Sequence, residues 1–482
     1  MPFSKNPTLS TYSTKQIKLL QQWEARDKSN SKDIDIVNCI YEIVDNKKIG
    51  DKDYTLISRD GTTIYPYTVP SSNIRGTYYW RDIDRVYIAY DTSVAVVVGS
   101  TGVLVTTVSP GFAAGTTDVG FTEFNYDSGL VKLVVSDGTI LGTIDVANAF
   151  VATVSPNIPI PHDPHVVFLD GYVFLLKTTT ADIYNSNLNN PLLYTTGNFI
   201  YAEMLPDNLI RIERLNNYLV AFGSASIEYF YDAANATGSP LQRNDTPVKL
   251  IGYLGGLASW GNKLVFVGQT QTSSPAVYLL EDFKMDMIDT PPLRRYIEPY
   301  VTSSGAVISI GGLDFYVLNV GVQTHIMDLN SKLWTRLQYQ QQTNFPIRYA
   351  VNIYFNGYGN TSLLLQTGLT TLNMFRADTF LDNGVDYTPT LVTDNDTFDS
   401  FNTKFGRRLT IQGDRTIGSI AVSWTDNDYQ TYSTPRTIVL DQVLPVINSL
   451  GSFRRRAFKF VHSGNCRMRI EQVDLDINMG IR

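Results

Sequence analysis

The sequence predicts an all-β protein built around a β-propeller of six or seven blades. Its 29 tyrosines and 23 phenylalanines favour strands, while 34 glycines and many asparagines supply turns. The stretch from Arg211 to Gln269 contains two copies of one pattern, in which a turn, a short apolar strand, a glycine and a second strand follow one another. The copies recur after about 45 residues, a spacing typical of propeller blades.

The same rhythm extends beyond these two copies. Apolar runs separated by about 40 to 53 residues are predicted to be the first strands of successive blades. These runs begin near Val86, Val131, Tyr172, Tyr218, Leu264, Phe315 and Leu363. One run could belong to a flanking sheet, which would leave six blades. The alternative is a pair of β-sandwiches, which would show strands every 8 to 12 residues without the longer period.

We expect three consecutive segments along the chain. Residues 1–53 form an N-terminal arm, with a short helix over Thr14–Ala25 and a lead-in strand over Ile36–Val44, although a frayed terminus tied to the main body is an alternative. Residues 54–390 form the propeller. An acidic linker then leads into a C-terminal β module over 391–482, with Trp424 and Phe458 in its core. Its strands are predicted at Arg408–Ile411, Ile420–Trp424, Arg436–Leu440, Arg456–His462 and Met468–Ile477.

One long connection inside the repeat is a candidate contact loop. Ala233–Lys249 is rich in Gly, Pro, Asn and Asp, which predicts an irregular loop. Long loops in a regular repeat often contact other molecules. The candidate contact residues are Asn235, Gln242, Arg243, Asn244 and Asp245.

Charge and cysteine content restrict the possible functions. The net charge of −7 argues against broad adhesion to nucleic acid, although residues 404–482 carry 12 Lys and Arg against 7 Asp and Glu. Cys39 and Cys466 lie far apart, without the spacing of a zinc site or a disulfide framework. The N-terminus does not resemble a secretory signal, and no apolar run is long enough to span a membrane. We therefore expect folding in a reducing cytoplasm and no membrane insertion.

Catalytic motifs are absent from the sequence. Neither a phosphate-binding glycine loop with its lysine nor a serine nucleophile elbow is present. His162, Asp163 and His165 form the only local cluster containing histidine, and a metal there would need a further ligand from elsewhere. Ordinary loop polarity explains the cluster without any further residue and is the preferred interpretation. We expect no catalytic residue, cofactor or bound metal.

A carbohydrate-binding or sialidase-like propeller is the enzymatic alternative. Ser423–Ser433 loosely resembles the Asp-box hairpin of such enzymes. The motif occurs once, near the end of the chain, with Asp428 where a glycine is expected. A surface hairpin whose turn is capped by Asp426 and Asp428 is the simpler interpretation.

A basic run near the C-terminus is the densest positive feature. It can be a solvated strand face or an interface with an adaptor protein or another subunit. On a strand, Arg455 would point away from Arg454 and Arg456, so the three arginines could not share one solvent face. Arginines bind carboxylates in bidentate pairs, which favours an interface. The candidate interface residues are Arg454, Arg455, Arg456, Lys459, Arg467 and Arg469.

Several long stretches together resemble the tail nozzle, or packaged-DNA stabilisation, proteins of short-tailed bacteriophages. They are EARDKSNSKDIDIVNCIYE, SASIEYFYDAANATGSPLQRND followed by LIGYLGGLASWGNKLVFVGQ, and SWTDNDYQTYSTPRTIVL with LGSFRRRAFKFVH. These stretches extend from Glu24 to His462. The family includes a β-propeller, which agrees with the repeat found in the residues.

The resemblance implies a structural virion protein without catalytic residues. Such a protein assembles in the host cytoplasm into a homohexameric ring of the tail, below the portal and the head–tail adaptor. It would close the filled head and form part of the ejection channel. Its expected partners are copies of itself, the portal and adaptor, and tail fibre or needle proteins. Double-stranded DNA would pass without tight binding, which suits acidic or neutral walls.

Overall fold

A computed structural model of the protein describes residues 13–21, 34–45, 52–125, 131–300 and 303–480. The chain divides into two compact units. The larger unit comprises residues 63–332 and 345–376, and the smaller unit comprises residues 1–62, 333–344 and 377–482. Nearly all regular structure in the described residues is β-strand, which confirms the predicted all-β class.

The strands are named in chain order. Before the larger unit, and leading into it, lie β1 (Ser13–Gln16), β2 (Asp35–Val37), β3 (Cys39–Asp45), β4 (Lys52–Ser58) and β5 (Gly61–Thr68). Next come β6 (Ile74–Trp80), β7 (Arg85–Tyr90), β8 (Ser93–Val98), β9 (Leu104–Val108), β10 (Gly120–Asn125), β11 (Val131–Ser136), β12 (Leu141–Ile144) and β13 (Phe150–Ala152). They are followed by β14 (Val167–Leu169), β15 (Tyr172–Leu176), β16 (Asp182–Asn185), β17 (Phe199–Tyr201), β18 (Leu209–Leu215), β19 (Tyr218–Gly223), β20 (Ile227–Asp232) and β21 (Leu241–Lys249).

The remaining strands continue to the end of the described chain. They begin with β22 (Gly252–Trp260), β23 (Lys263–Gln269), β24 (Ala276–Glu281), β25 (Lys284–Met287), β26 (Ser303–Ile310), β27 (Leu313–Val320), β28 (Gln323–Asp328), β29 (Trp334–Leu337), β30 (Ile347–Phe355), β31 (Gly359–Gln366) and β32 (Thr371–Arg376). The last are β33 (Leu381–Asp382), β34 (Val385–Asp386), β35 (Thr390–Val392), β36 (Lys404–Gly413), β37 (Ser419–Thr425), β38 (Arg436–Val439), β39 (Val446–Phe453), β40 (Ala457–Ser463) and β41 (Arg469–Met479). A 3-10 turn (Arg81–Ile83) and a short helix α1 (Pro291–Ile297) complete the described elements.

The larger unit is a propeller of seven blades. The first five blades are the four-stranded sheets β6–β9, β10–β13, β14–β17, β18–β21 and β22–β25. The sixth contributes β26–β28, and the seventh consists of β30–β32 with β5. Within the first five blades the strands follow one another in sequence order, and in the first blade their pairing is antiparallel throughout, as in a meander. Neighbouring inner strands lie close together around the unit, and β30 of the seventh blade lies against β6 of the first.

The seven predicted runs belong to seven different blades, but each was assigned to the wrong strand of its blade. The runs near Val86, Val131 and Tyr172 lie in β7, β11 and β15, which are second strands. The same holds for Tyr218, Leu264, Phe315 and Leu363, which lie in β19, β23, β27 and β31. Second strands are buried on both faces and therefore read as continuous apolar runs.

The ring of the propeller closes through β5. This strand precedes the first blade in sequence, yet it lies beside β32 as the outer strand of the seventh blade. The buried Tyr65 on β5 packs in the core shared by the seventh and first blades and donates a hydrogen bond to the carbonyl of Val98 at 2.8 Å. Similar cores of alternating side chains lie between the later pairs of blades.

The smaller unit is a β structure built from segments far apart in sequence. One sheet has the order β3–β4–β41–β36–β39, with β1 also paired to β41, and another has the order β29–β2–β35–β40–β37–β38. Phe458 is fully buried in the core of this unit and Trp424 packs against it, as predicted. The five predicted C-terminal strands are present with shifted ends, and β39 was missed.

The N-terminal helix prediction is wrong where it can be compared with the structure. Ser13–Gln16 is a strand that pairs with β41, from Ser13 opposite Ile477 to Gln16 opposite Asp474. Ile17 is buried because it joins the core of the smaller unit, which explains the apolar spacing. The remainder of the predicted helix, from residue 22 onward, lies outside the described residues. The predicted strand Ile36–Val44 is present as β2 and β3, interrupted at Asn38, whose φ is 56°.

A buried ion pair joins separate segments of the smaller unit. The Arg59 guanidinium contacts Asp382 through two hydrogen bonds of 2.9 and 2.6 Å, and both side chains are fully buried. Arg59 also donates to the Asn38 side chain at 3.0 Å and lies over the Tyr387 ring, 3.9 Å from its centroid. These segments would not be recognised as one unit from local sequence patterns. The N-terminal and C-terminal segments belong to one unit, so the division of the chain into units differs from the predicted boundaries at 53 and 390.

Candidate functional site

Arg454 and Arg455 lie in a bend directly after β39, and both are exposed. Because they are not in a strand, the predicted alternation of the three arginines does not apply. The carbonyl of Arg454 accepts a 2.7 Å hydrogen bond from the buried ammonium of Lys404, which fixes this bend. The Arg455 guanidinium lies 3.9 Å from the Asp428 carboxylate, a loose pair at the surface.

Arg456 does not belong to an exposed interface, contrary to the sequence prediction. Its side chain is 1% exposed and forms two 2.7 Å hydrogen bonds with Asp426. The guanidinium also packs over the rings of Phe453 and Trp424, at 4.2 and 5.1 Å from their centroids. The residue is a structural part of the smaller unit. Asp426 is its partner and does not cap the hairpin turn, so the predicted role of Asp426 is also corrected.

The other basic candidates are partly exposed and mostly paired within the smaller unit. Arg467 donates to Asp60 at 2.7 Å, and its guanidinium lies 5.5 Å from the Phe380 ring centroid. Arg469 lies 3.2 Å from Glu42 and 3.5 Å from Glu471. Lys459 lies 5.7 Å from the centroid of the Tyr432 ring. Arg454 and Arg455 are therefore the most available cations of the predicted set.

Only the first part of the predicted contact loop is irregular, since Leu241–Lys249 forms a strand. Asn235 lies in the connection and its side-chain amide donates to the carbonyl of Ser239 at 3.1 Å. The other candidates, Gln242, Arg243, Asn244 and Asp245, lie on β21, the outer strand of the fourth blade. Arg243 is bound to Asp245 at 2.6 Å and lies 3.5 Å from the buried Glu228. This strand was missed because its polar, turn-forming residues occupy the outer edge of a blade.

The histidine cluster belongs to the propeller, where His162 and Asp163 are buried and His165 is half-buried. The His162 ring contacts the Ser136 hydroxyl at 2.7 Å and the Pro159 carbonyl at 2.8 Å, which satisfies both of its nitrogens. Asp163 lies 3.1 Å from Arg211. His165 lies at the wall of a cavity between the inner strands of the propeller. Among the described residues, no group of three or more possible metal ligands occurs.

No helix in the described part of the chain is long and apolar enough to cross a membrane.

An axial cavity of about 880 Å³ lies between the inner strands of the propeller. Its wall includes parts of β6, β10, β18, β22, β26 and β30, together with His165. Gly255 and Gly256 form a bulge on β22, where the pairing with β23 is irregular. Gly256 has φ +65°, and a Cβ there would lie 2.9 Å from the Tyr316 hydroxyl. The glycines therefore permit the close approach of β22 to the sixth blade.

The charged groups of the cavity occur mainly in pairs. Arg348 donates to Asp118 at 2.8 Å, and the Tyr349 hydroxyl donates to the same carboxylate at 2.6 Å. Arg211 on β18 lies beside Asp163. Glu213, two residues further along β18, lines the same wall. The cavity thus combines two arginines with three nearby carboxylates.

Burial shifts the pKa values of the titratable side chains around Arg211. Burial raises the pKa of Asp163 to about 6, although the Arg211 guanidinium acts in the opposite direction. Burial also raises the pKa of Glu213. The pKa of His165 lies well below its ordinary value because of burial and the nearby Arg211, so its imidazole is neutral. Asp163 and His165 were recognised in the sequence as possible site residues, whereas Arg211 and Glu213 were not. The only sequence signal of these two residues was their alternate spacing on a strand that precedes a hairpin turn.

Comparison with known proteins gives one family. The sequence model described as "Bacteriophage P22 Gp10, beta-propeller" matches residues 67–356. No curated protein sequence matches the chain.

Several solved structures are similar to the propeller at low sequence identity. A virginiamycin B lyase from Staphylococcus aureus is 12% identical, with a TM-score of 0.43, and the match covers 65% of this chain and 99% of the lyase. The N-terminal domain of Nup159 is 10% identical, with a TM-score of 0.39, over 70% of this chain and 98% of that domain. At this similarity neither structure supports an inference about function.

Proposed function

Because the chain belongs to the bacteriophage P22 Gp10 β-propeller family and is thus a phage structural protein, we propose that it forms a homohexameric ring in a short phage tail. The ring lies below the portal and the head–tail adaptor, retains the packaged DNA and forms part of the ejection channel. The family match, which spans more than half of the chain, is the observation that carries this proposal. The protein acts through shape and charge, without catalysis.

The distribution of charge supports a conduit that does not hold DNA. The larger unit carries 16 Lys and Arg against 24 Asp and Glu, a net charge of −8, and the smaller unit carries 23 against 22, a net charge of +1. Each phosphate contact made by a cation adds to DNA affinity through counterion release. A propeller of net negative charge keeps that contribution small, so DNA passes without tight binding.

The smaller unit supplies the docking residues in this proposal. Arg454 and Arg455 are exposed in a bend that is fixed by the Lys404 ammonium. The fixed backbone presents both guanidinium groups at the surface, where they can form bidentate pairs with carboxylates of a partner. We assign these two residues to contacts with the adaptor or a neighbouring subunit. We expect weaker contributions to docking from Lys459, Arg467 and Arg469, because each already has a partner within the chain.

Charge reversal at the bend tests the docking assignment. In the double variant Arg454→Glu and Arg455→Glu, attachment of the purified protein to DNA-filled, tailless heads should fall by about tenfold or more, since each pairing with a carboxylate becomes a repulsion. Attachment is measured by counting tailed particles in electron micrographs. Arg81→Glu, a charge reversal at an exposed arginine of the larger unit, is the matched control.

Two outcomes would count against the proposal. Normal attachment by the double variant, with unchanged thermal stability, would remove these arginines from the interface. A purified protein that stays monomeric, attaches to no heads and binds glycans would favour the carbohydrate-binding alternative over the tail role.

A further inference from the structure

Two arginines line the axial cavity, and they differ in their partners. The Arg348 guanidinium donates to Asp118 at 2.8 Å and lies 5.1 Å from the centroid of the Tyr349 ring. Arg211 forms an ion pair with Asp163, whose Oδ2 lies 3.1 Å from Nε, and it also interacts electrostatically with Tyr253, Asp118 and Glu213. These two atoms form an ion pair, and neither has a hydrogen-bond partner among the described residues. Arg211 therefore retains donors that no described side chain or carbonyl uses.

Unsatisfied polar atoms accumulate around this arginine. Arg211 Nε, Asp163 Oδ2 and His165 Nδ1 are all buried without a hydrogen-bond partner among the described residues. The Asp163 side chain is 9% exposed and that of Arg211 is 19% exposed. A buried polar atom without a hydrogen-bond partner is destabilising, so native structures rarely contain several in one place. A bound ligand that supplies an acceptor would offset part of this cost.

Two accessible apolar side chains lie in the wall of the cavity, which also contains polar residues such as Thr77 and Ser303. Ile210 on β18 and Leu254 on β22 are 43% and 37% exposed, and both line the cavity next to Arg211 and Tyr253. Exposed apolar side chains in a concave site, close to a small number of polar groups, are typical of sites for small molecules. The volume of about 880 Å³ lies within the usual range of such sites, about 300 to 1,000 Å³.

We propose that the axial cavity binds a small amphipathic monocarboxylate, with the carboxylate on the Arg211 guanidinium and the apolar body against Ile210 and Leu254. A guanidinium presents two parallel N–H donors that match a carboxylate in a bidentate pair. The ligand class follows from this combination of a cation with unused donors and accessible apolar side chains. The inference does not depend on the proposed tail role, since it concerns a cavity within one propeller.

Two carboxyl groups oppose the binding of an anion here. Asp163 competes for the same guanidinium, and Glu213 lies two residues away on β18. His165 is neutral and contributes no charge. Asp118 is occupied by Arg348 and Tyr349. The proposal therefore predicts that removing the charge of Asp163 strengthens binding, an effect opposite to that expected if Asp163 only stabilised the fold.

Calorimetric titration of the full chain with benzoate provides the first test. Benzoate combines a carboxylate with a flat apolar body, benzamide has the same body without the charge, and acetate has the carboxylate without the body. Benzoate should bind about tenfold or more tightly than either, because only benzoate uses both the guanidinium and the apolar side chains. Binding of benzamide as tight as that of benzoate, or no binding of benzoate, would overturn the proposal.

Three variants locate the site. Arg211→Lys keeps the positive charge but loses the bidentate geometry, so benzoate affinity should fall by about tenfold. Arg214→Gln, on the exposed face of the same strand, is the matched control and should leave affinity unchanged. Asp163→Asn should increase affinity by about threefold or more, because the competing charge is removed. Unchanged affinity in Asp163→Asn would refute the site even if Arg211→Lys failed to fold.

Discussion

Arg454, Arg455 and Arg456 are consecutive in the sequence but lie in different surroundings. In the structure, the first two lie in an exposed bend, whereas Arg456 is buried against Asp426 and two aromatic rings. Periodicity could not separate them, because the end of β39 at Phe453 interrupts the alternation. Their different roles predict different effects on stability and assembly.

Replacement of Arg456 should destabilise the protein without involving a partner. Arg456→Met removes the partner of Asp426 and three hydrogen bonds, two to Asp426 and one to the Leu450 carbonyl. The change should cost about 2–4 kcal/mol, because Asp426 remains partly solvated after it. Arg455→Gln, one residue earlier, removes only a loose surface pair and should change the free energy of unfolding by less than about 1 kcal/mol. Chemical denaturation of both variants measures the difference. Equal stabilities would contradict the structural role of Arg456.

Asp163 should make the stability of the propeller depend on pH. Its pKa in the folded protein is about 6, above the value of about 3.9 in an unfolded chain, so the folded state binds the proton more tightly. Relative to Asp163→Asn, the wild-type protein should therefore become more stable as the pH falls from about 7 to about 4, by roughly 2 kcal/mol. His162 and His165 act in the opposite direction, since burial lowers their pKa values, and their effect cancels in the comparison.

Denaturation of both proteins across this pH range provides the measurement. Asp170→Asn, at an exposed turn of the same unit, controls for the loss of a negative charge. A constant difference between wild type and Asp163→Asn would show that the carboxyl group of Asp163 has the same pKa in the folded and unfolded states.

At the scale of elements, sequence signals were strong where strands are buried on both faces. The second strand of each blade gives a continuous apolar run, as in β7 and β19. Inner strands were missed because they line the axial cavity with glycines and serines, as in β22 and β26. Outer strands such as β21 resemble loops, since their polar residues face solvent. The blade period was therefore predictable, whereas the strand order within each blade was not.

The closing strand β5 gives a prediction at this scale. Tyr65 is fully buried between the seventh and first blades, so Tyr65→Ala should cost about 3–5 kcal/mol through the lost contacts and the cavity left behind. Ile64, the preceding residue on the opposite face of the strand, is 48% exposed, and Ile64→Ala should cost less than about 1 kcal/mol. Thermal unfolding of both variants tests this. If Tyr65→Ala were as stable as Ile64→Ala, closure through β5 would be wrong.

At the scale of the molecule, the division of the chain could not be predicted from local patterns. The smaller unit joins strands at opposite ends of the sequence, for example Thr14 on β1 to Asp476 on β41 through a 2.7 Å hydrogen bond. Contacts over such separations leave no periodicity along the chain. The uneven charge was predictable because it depends on composition alone. Its consequence, an acidic propeller joined to a nearly neutral smaller unit, follows only once the structure assigns residues to units.

The most direct test of the account is cryo-electron microscopy of DNA-filled, tailless heads incubated with the purified protein. We expect a ring of six copies below the portal, each with a seven-bladed propeller, and heads that keep their DNA after the ring is added. Heads that bind no protein, or that lose DNA equally with and without it, would contradict the proposed role as a ring that closes the head.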